Sequence, residues 1–282
     1  MPIPVSKKQV RHIGKLLAAE QMHPSNALYD QYQAFLAHCD SEQSRLENRV
    51  REIVTQDYSI SGRRKSRNTL REKLQSMPSM QLTHIRDLVG VRIVGTMTLE
   101  EQDELASTLI SELGIKCELI DRRLIPNNGY RALHIEVKLD GITGEIQIRT
   151  PLQSAWADSF ERLADIWGRQ IRYGHPPSVN STGSNLERIR IVEQFIELST
   201  NYIREFENES NQILKEFKGI KIEPVPPKVG ASKLSILSAM RNRQTRDRIR
   251  SLEDTSQGIL QNWRENLLSA LEDLARQAEE VE

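Results

Sequence analysis

Asn127–Thr150, NNGYRALHIEVKLDGITGEIQIRT, is the stretch whose reading decides the fold. It reads as two strands joined by a tight turn. Asp140-Gly141 supplies that turn, because both central residues of a type I′ hairpin need positive φ. A two-residue loop sets Leu139 opposite Ile142, Glu136 opposite Glu145 and His134 opposite Gln147. Side chains alternate across a sheet, so Ala132, His134, Glu136, Glu145, Gln147 and Arg149 share one face. Ile135, Val137, Ile146 and Ile148 share the other. One face packs; the other carries two carboxylates, a histidine and an arginine. In an arbitrary hairpin such a face is merely solvated. Here Gly129-Tyr130 leads in, and Thr150-Pro151-Leu152-Gln153 leads directly out into a helix with an N-cap, a proline at the first position and a capping glutamine.

Upstream, a short helix around Gln9–Gln21 precedes a long one, capped by Ser25 and running to about Gln56. Leu28, Tyr32, Leu36, Leu46, Val50 and Val54 recur on it at helical spacing. Tyr58–Gly62 is a short strand, followed by RRKSRNTLREKL. On a helix, Lys65, Thr69 and Lys73 line one face, with Arg63 just before it. Cations converging from one side suit a phosphate chain, although an exposed basic helix face is the commoner meaning. Val89–Val94 is a buried strand with Asp87 at its mouth, and Gly90 allows a close backbone approach. Leu99–Leu113 is a helix ended by Gly114, and Lys116–Asp121 is a strand. Arg122–Gly129 is a loop.

Downstream, the helix that starts at Pro151 runs to about Arg172, and another spans roughly 185–217. Residues 218–229 are a Pro-rich linker. The segment from Gly230 starts basic (Lys233, Arg241, Arg243, Arg246, Arg248, Arg250). It ends in a helix whose Leu260, Trp263, Leu267, Leu271, Leu274 and Ala278 form a seam for its own domain or a symmetry mate.

The 282 residues suffice for one good domain plus an extension; aromatic residues make up 5% and charged residues 28%, the profile of a helix-rich soluble protein. The zero formal net charge hides an asymmetry. Gly62–Lys73 holds six Lys/Arg against one acid, whereas Ser251–Glu282 holds eight acids against Arg264 and Arg276. A local phosphate site fits this better than a whole-molecule nucleic-acid surface. Cys39 and Cys117 have no zinc or redox spacing. No stretch approaches the ~20 apolar residues of a membrane span, and MPIPVSKKQVRH lacks a signal-peptide core. A cytoplasmic setting without membrane contact is the expectation.

The order GRRKS…K, RDLVGVRIV, NGYRALH, EIQIRTPLQSAWA resembles the synthetase domain of the RelA/SpoT family over roughly residues 45–175. In size and helical flanks the chain resembles the small alarmone synthetases, and the HDxxED-type hydrolase motif is absent. The resemblance implies an α+β fold: a mixed β-sheet of nucleotidyltransferase type flanked by helices, with a helical C-terminal extension. It implies five segments: 1–44 N-terminal and helical, 45–175 the synthetase domain, 176–217 a packing helix, 218–229 the linker and 230–282 the extension. The implied reaction moves the β,γ-pyrophosphate of ATP onto the 3′-hydroxyl of GDP or GTP, giving (p)ppGpp. In that chemistry Arg63 and Arg92 match the arginines that sandwich adenine, and Lys65, Thr69 and Lys73 match ATP phosphate contacts. Asp87 and Glu145 match the Mg²⁺ carboxylates, Glu145 also being the candidate proton acceptor. Tyr130 matches the tyrosine stacked on the acceptor guanine, with His134, Gln147 and Arg149 nearby.

Two departures fall on the acceptor side. The loop before NGY is the compact DRRLIPNN, with Asn127 where a lysine is common and with Arg122 and Arg123 as substitutes. The helix after EIQIRT reads WADSFERLAD where a Glu-His pair is usual. Two alternatives therefore stand beside (p)ppGpp synthesis. One is a toxic family member that pyrophosphorylates the tRNA 3′ end, or an adenine nucleotide, with the basic segments Lys7–Lys15 and Lys233–Arg250 holding RNA; an antitoxin partner goes with this branch. The other is an inactive nucleotide-binding module. A homo-oligomer assembled through the C-terminal helices is the expected state.

Overall fold

The computed structural model describes residues 4–65, 67–76, 80–178, 185–219 and 233–281. The linker expected over 218–229 lies outside the described residues from 220 onward, as do the side chains of the basic segment 233–249. The chain forms two compact units, Met1–Ser154 and Ala155–Glu282.

The first unit is built on a five-stranded mixed sheet in the order β1-β2-β5-β4-β3. Its strands are β1 (Ser59–Arg64), β2 (Val89–Val94), β3 (Cys117–Asp121), β4 (Leu133–Lys138) and β5 (Thr143–Arg149). The opening hairpin is the β4–β5 pair, in the expected register: Glu136 faces Glu145 and His134 faces Gln147. β5 then pairs with β2 in parallel, Gly90 opposite Glu145 and Arg92 opposite Gln147. The remaining pairs, β1–β2 and β3–β4, are antiparallel.

The hairpin turn differs from the expected type I′. Gly141 has φ 81°, but Asp140 is not among the positive-φ residues. A turn of the expected kind lies one strand earlier, where Asn128 (φ 50°) and Gly129 (φ 83°) are both left-handed. There Asn127 and Tyr130 exchange backbone hydrogen bonds of 3.3 and 3.1 Å. Asparagine tolerates that region better than most residues, and glycine has no Cβ to clash.

The apolar face of the sheet packs on α2 (Tyr29–Ile53) and α4 (Leu99–Glu112). Leu46, Val50 and Ile53 meet Leu105, Ala106, Leu109 and the strand residues Val91, Ile93, Ile135, Val137, Ile146 and Ile148 in one buried cluster. A second cluster joins α1 (Lys7–Ala18), the first half of α2 and α3 (Arg67–Ser76) through Ile13, Leu17, Tyr32, Phe35, Leu70, Leu74 and Leu82. Ser25 does not cap α2. Leu28 stands at the N-cap without a side-chain bond, and Ser25 Oγ lies 2.6 Å from His23 Nδ1. Thr98 does cap α4, in a reciprocal pair with Glu101, and Gly114 follows the helix with φ 66°.

The second unit is helical: the body of α5 (Pro151–Trp167), α6 (Asn185–Glu197), α7 (Arg204–Gly219) and α8 (Lys233–Glu280). α6 and α7 form one path interrupted by a π-helical segment, Leu198–Ile203. The expected seam of α8 is covered within the chain: Leu260, Leu267, Leu271 and Ala278 are buried, and Trp263 packs edge-on against Phe206 at 5.3 Å. Among the described residues no helix is long and apolar enough to cross a membrane.

Ile146 is fully buried in the central strand. Ile146→Ala is expected to cost about 2–5 kcal/mol, measured as a lowered midpoint in urea unfolding at unchanged slope.

Candidate active site

The face of the sheet opposite α2 and α4 carries the polar residues, arranged by register. One row across it runs Arg63, Gly90, Glu145, Glu136; the next runs Ser61, Arg92, Gln147, His134. Gly90 has a steric purpose, since a Cβ there would sit 3.0 Å from the Glu145 carbonyl oxygen. The face is not a solvated one: Glu136, Glu145 and Arg149 are all buried.

Lys65 stands at the end of β1, ahead of α3, rather than on the helix with Lys73. The two lysines nevertheless converge. Lys65 Nζ lies 2.5 Å from Asp87 Oδ2, and Lys73 Nζ lies 2.8 Å from Asp87 Oδ1. Burial alone would raise the Asp87 carboxyl, but the charges and hydrogen bonds of Lys65 and Lys73 outweigh it and hold Asp87 below the usual carboxylate range. Burial pulls the Lys65 ammonium down, with Asp87 opposing. Thr69 is half-buried on α3, Arg63 is exposed on β1 and Arg92 is half-buried on β2.

Across the β2–β5 junction, five side chains close a ring around Glu145. His134 Nδ1 is 2.5 Å from Glu145 Oε1, and Gln147 Nε2 donates to Glu145 Oε2 at 2.7 Å. Arg149 Nη2 donates to Gln147 Oε1 at 2.7 Å and to the Tyr130 hydroxyl at 2.9 Å. The Tyr130 hydroxyl lies 2.7 Å from His134 Nε2, closing the ring. Donor roles follow from the carboxylate, which only accepts. His134 Nδ1–H donates to Glu145, and in the neutral imidazole Nε2 accepts from Tyr130. Burial would raise the Glu145 carboxyl, yet His134 and Gln147 together hold it lowered, with Asp87 opposing. Burial holds the Tyr130 hydroxyl above its ordinary range, against the pull of Arg149. Arg149 also stands over the Tyr130 ring, 5.1 Å from its centroid.

Arg123 belongs to a different arrangement. Its guanidinium is buried and clamped by Asp121 (2.7 Å), Asp103 (2.5 Å), the Leu99 carbonyl (3.0 Å) and Gln102 Oε1 (3.2 Å). Gln102 in turn donates to Gln153 Oε1 at 3.0 Å. This network ties the loop after β3 to the start of α4 and to the helix start at Thr150, where Thr150 and Gln153 cap each other. Asp103, Asp121 and Gln102 were not singled out from sequence; only an arginine followed back to an acid two residues earlier hinted at the clamp.

The donor chemistry suits a hard cation. Asp87 and Glu145 are both held in the charged form, and the ammonium groups on Asp87 show that its carboxylate faces cationic neighbours. Among the described residues no group of three or more His, Cys, Asp or Glu could hold a metal alone. Two carboxylates with room for phosphate oxygens and water are the magnesium pattern rather than the zinc one.

Residues 62–165 match the region found in RelA / SpoT proteins. The chain carries a RelA/SpoT domain. It is 37% identical over 184 residues to uncharacterized proteins of Mycobacterium tuberculosis and Mycobacterium bovis, a match covering 64% of this chain and 66% of each relative, just under two thirds of their length. Among solved structures, the small alarmone synthetase 1 of Bacillus subtilis aligns with a TM-score of 0.50 at 18% identity, covering 67% of this chain and 97% of that one. A Streptococcus mutans protein aligns with a TM-score of 0.51 at 20% identity, covering 66% and 96%. At these identities the structural likeness establishes the fold: the RelA/SpoT domain here has the mixed sheet and flanking helices of small alarmone synthetases.

Because Asp87 has a depressed pKa in the folded protein, its ion pairs stabilise fully above the ordinary carboxylate range and are lost as pH falls through the depressed value. Asp87→Asn is therefore expected to be less stable than the parent at pH 7, with the gap closing below about pH 4. Chemical denaturation between pH 3 and 7 checks this; a gap that stays constant would remove the assigned pairing.

Proposed function

We propose that this RelA/SpoT domain is an Mg²⁺-dependent pyrophosphokinase that transfers the β,γ-pyrophosphate of ATP to the 3′-hydroxyl of GDP or GTP. The observation that carries this is the meeting of two differently charged halves at the β2–β5 junction. On one side stand the cations Lys65 and Lys73 about Asp87; on the other stands a charged, hydrogen-bonded Glu145 beside the ring of Tyr130.

Lys65 and Lys73 turn from Asp87 to the donor phosphates, with Thr69 adding a hydroxyl. Arg63 and Arg92, on one face of adjacent strands, take the adenine between their planar guanidinium groups. Asp87 and Glu145 would hold Mg²⁺, which when bound draws donor phosphate oxygens together and offsets their charge. Tyr130 offers its ring face to the acceptor base, since its hydroxyl is engaged by His134 and Arg149. The 3′-oxygen attacks the β-phosphorus, the bond from that phosphorus to the α,β-bridging oxygen breaks, and AMP leaves. Glu145 accepts the hydroxyl proton, its two hydrogen-bond donors fixing the direction of its lone pairs. Positioning and charge neutralisation supply most of the acceleration. Small alarmone synthetase 1 of Bacillus subtilis has been solved bound to its product pppGpp, which supports a guanine nucleotide as acceptor here.

With γ-labelled ATP and Mg²⁺, label is expected on GDP or GTP. Label on deacylated tRNA or ADP instead would change the acceptor, and no label with ATP still bound would point to an inactive binding module. Glu145→Gln is expected to lose about 10²–10⁴-fold in kcat; full activity would remove Glu145 from its role. Tyr130→Ala is expected to raise the acceptor KM far more than the ATP KM, checked by initial rates with each substrate varied.

A further inference from the structure

We propose that Arg86, braced by Glu136 and joined by Lys138, forms a subsite for the 5′-phosphate chain of the acceptor nucleotide. This rests on the pyrophosphokinase reading and adds a specificity determinant to it.

Glu136 lies directly opposite Glu145 in the β4–β5 register, on the same face, with its side chain 4% exposed. Carboxylates placed opposite each other repel, and a buried carboxylate needs a partner. The partner is Arg86, whose Nη1 is 2.7 Å from Glu136 Oε1. The pair is lopsided: the acid is buried, while the Arg86 side chain is 64% exposed. Glu136 takes up one of the five N–H donors of a guanidinium. A solvent-facing arginine fixed from below has lost its rotamer freedom on folding, so less is lost when an anion binds.

The position is what assigns the ligand. Arg86 and Asp87 are consecutive, yet they reach opposite ways. Asp87 meets Lys65 and Lys73 on the β1–α3 side; Arg86 crosses to β4. Arg86 is thus a cation on the far side of Glu145 from the donor cluster. Lys138, two residues beyond Glu136 on β4, shares its face, is exposed, and donates to Thr143 Oγ1 at 3.1 Å. Two other arginines of this half are already engaged: Arg123 in its clamp and Arg149, 1% exposed, in the ring. An acceptor whose 3′-hydroxyl lies at Glu145 therefore finds Arg86 and Lys138 at the β4 edge for its phosphates.

Initial rates with the full chain, ATP, and guanosine tri-, di- and monophosphate as acceptors test this. The parent is expected to prefer the tri- and diphosphate. In Arg86→Gln, kcat/KM for these two should fall roughly tenfold or more, the scale of one charged hydrogen bond, with the monophosphate and the ATP KM changed by less than about twofold. Lys138→Gln should narrow the preference less, and Arg86→Gln/Glu136→Gln should be no worse than Arg86→Gln alone. Equal loss on all three acceptors, a raised ATP KM, or an unchanged preference overturns the subsite alone. A parent that labels none of the three overturns the subsite together with the pyrophosphokinase reading.

Discussion

The hydrogen-bonded ring Glu145–His134–Tyr130–Arg149–Gln147 is the constraint on which the site depends. Every member comes from the β4–β5 hairpin or the turn that feeds it, so the ring has a geometry only if the strand register is correct. A one-residue slip would send His134, Glu136, Glu145, Gln147 and Arg149 to the helix-packed face and the isoleucines to the polar one. The isoleucines resist that slip, because they lie in the cluster with α2 and α4. Hydrophobic burial on one face thus holds polar geometry on the other. The ring also has a polarity: donors point toward Glu145 from both sides, which keeps a buried carboxylate charged without a metal ion or lysine in direct contact.

The other half of the site is organised differently. Asp87, Lys65 and Lys73 are drawn together by charge alone, from a loop, a strand end and a helix. Such a cluster is easily rearranged when phosphate anions compete for the lysines, whereas the ring is covered and internally satisfied. The domain therefore joins an adaptable donor side to a rigid acceptor side. Arg123 illustrates the same economy of roles: an arginine beside the acceptor loop serves to fasten that loop to α4.

Much of this was legible in the chain because the relevant signals are local or periodic. Alternation in residues 132–149 fixed both faces of the hairpin and its cross-strand partners, and Thr150-Pro151 with Gln153 announced the helix start. The convergence of Lys65 and Lys73 was correctly anticipated for an incorrect reason: Lys65 ends a strand, and the strand end and helix start bring it to the same carboxylate. Turn chemistry was misassigned because Asp-Gly and Asn-Gly both allow left-handed pairs, and only backbone geometry separates them. The Arg123 clamp and the Arg86–Glu136 pair were out of reach, since each joins elements whose proximity is a property of the sheet order. Glu136, a carboxylate with no evident task in the sequence, acquires a partner only once Arg86 crosses β5.

The parallel pairing of β2 with β5 has a consequence for how the domain is made. During synthesis the segment with Lys65, Lys73, Asp87 and Arg92 leaves the ribosome well before Glu145. Parallel strands cannot pair through a hairpin, so β2 must wait until α4, β3 and β4 have been threaded between it and its neighbour. Non-local pairings of this kind close late and slowly. The nascent chain therefore holds its nucleotide-phosphate cations early and its proton acceptor last, and chemistry begins only when the central strand seats.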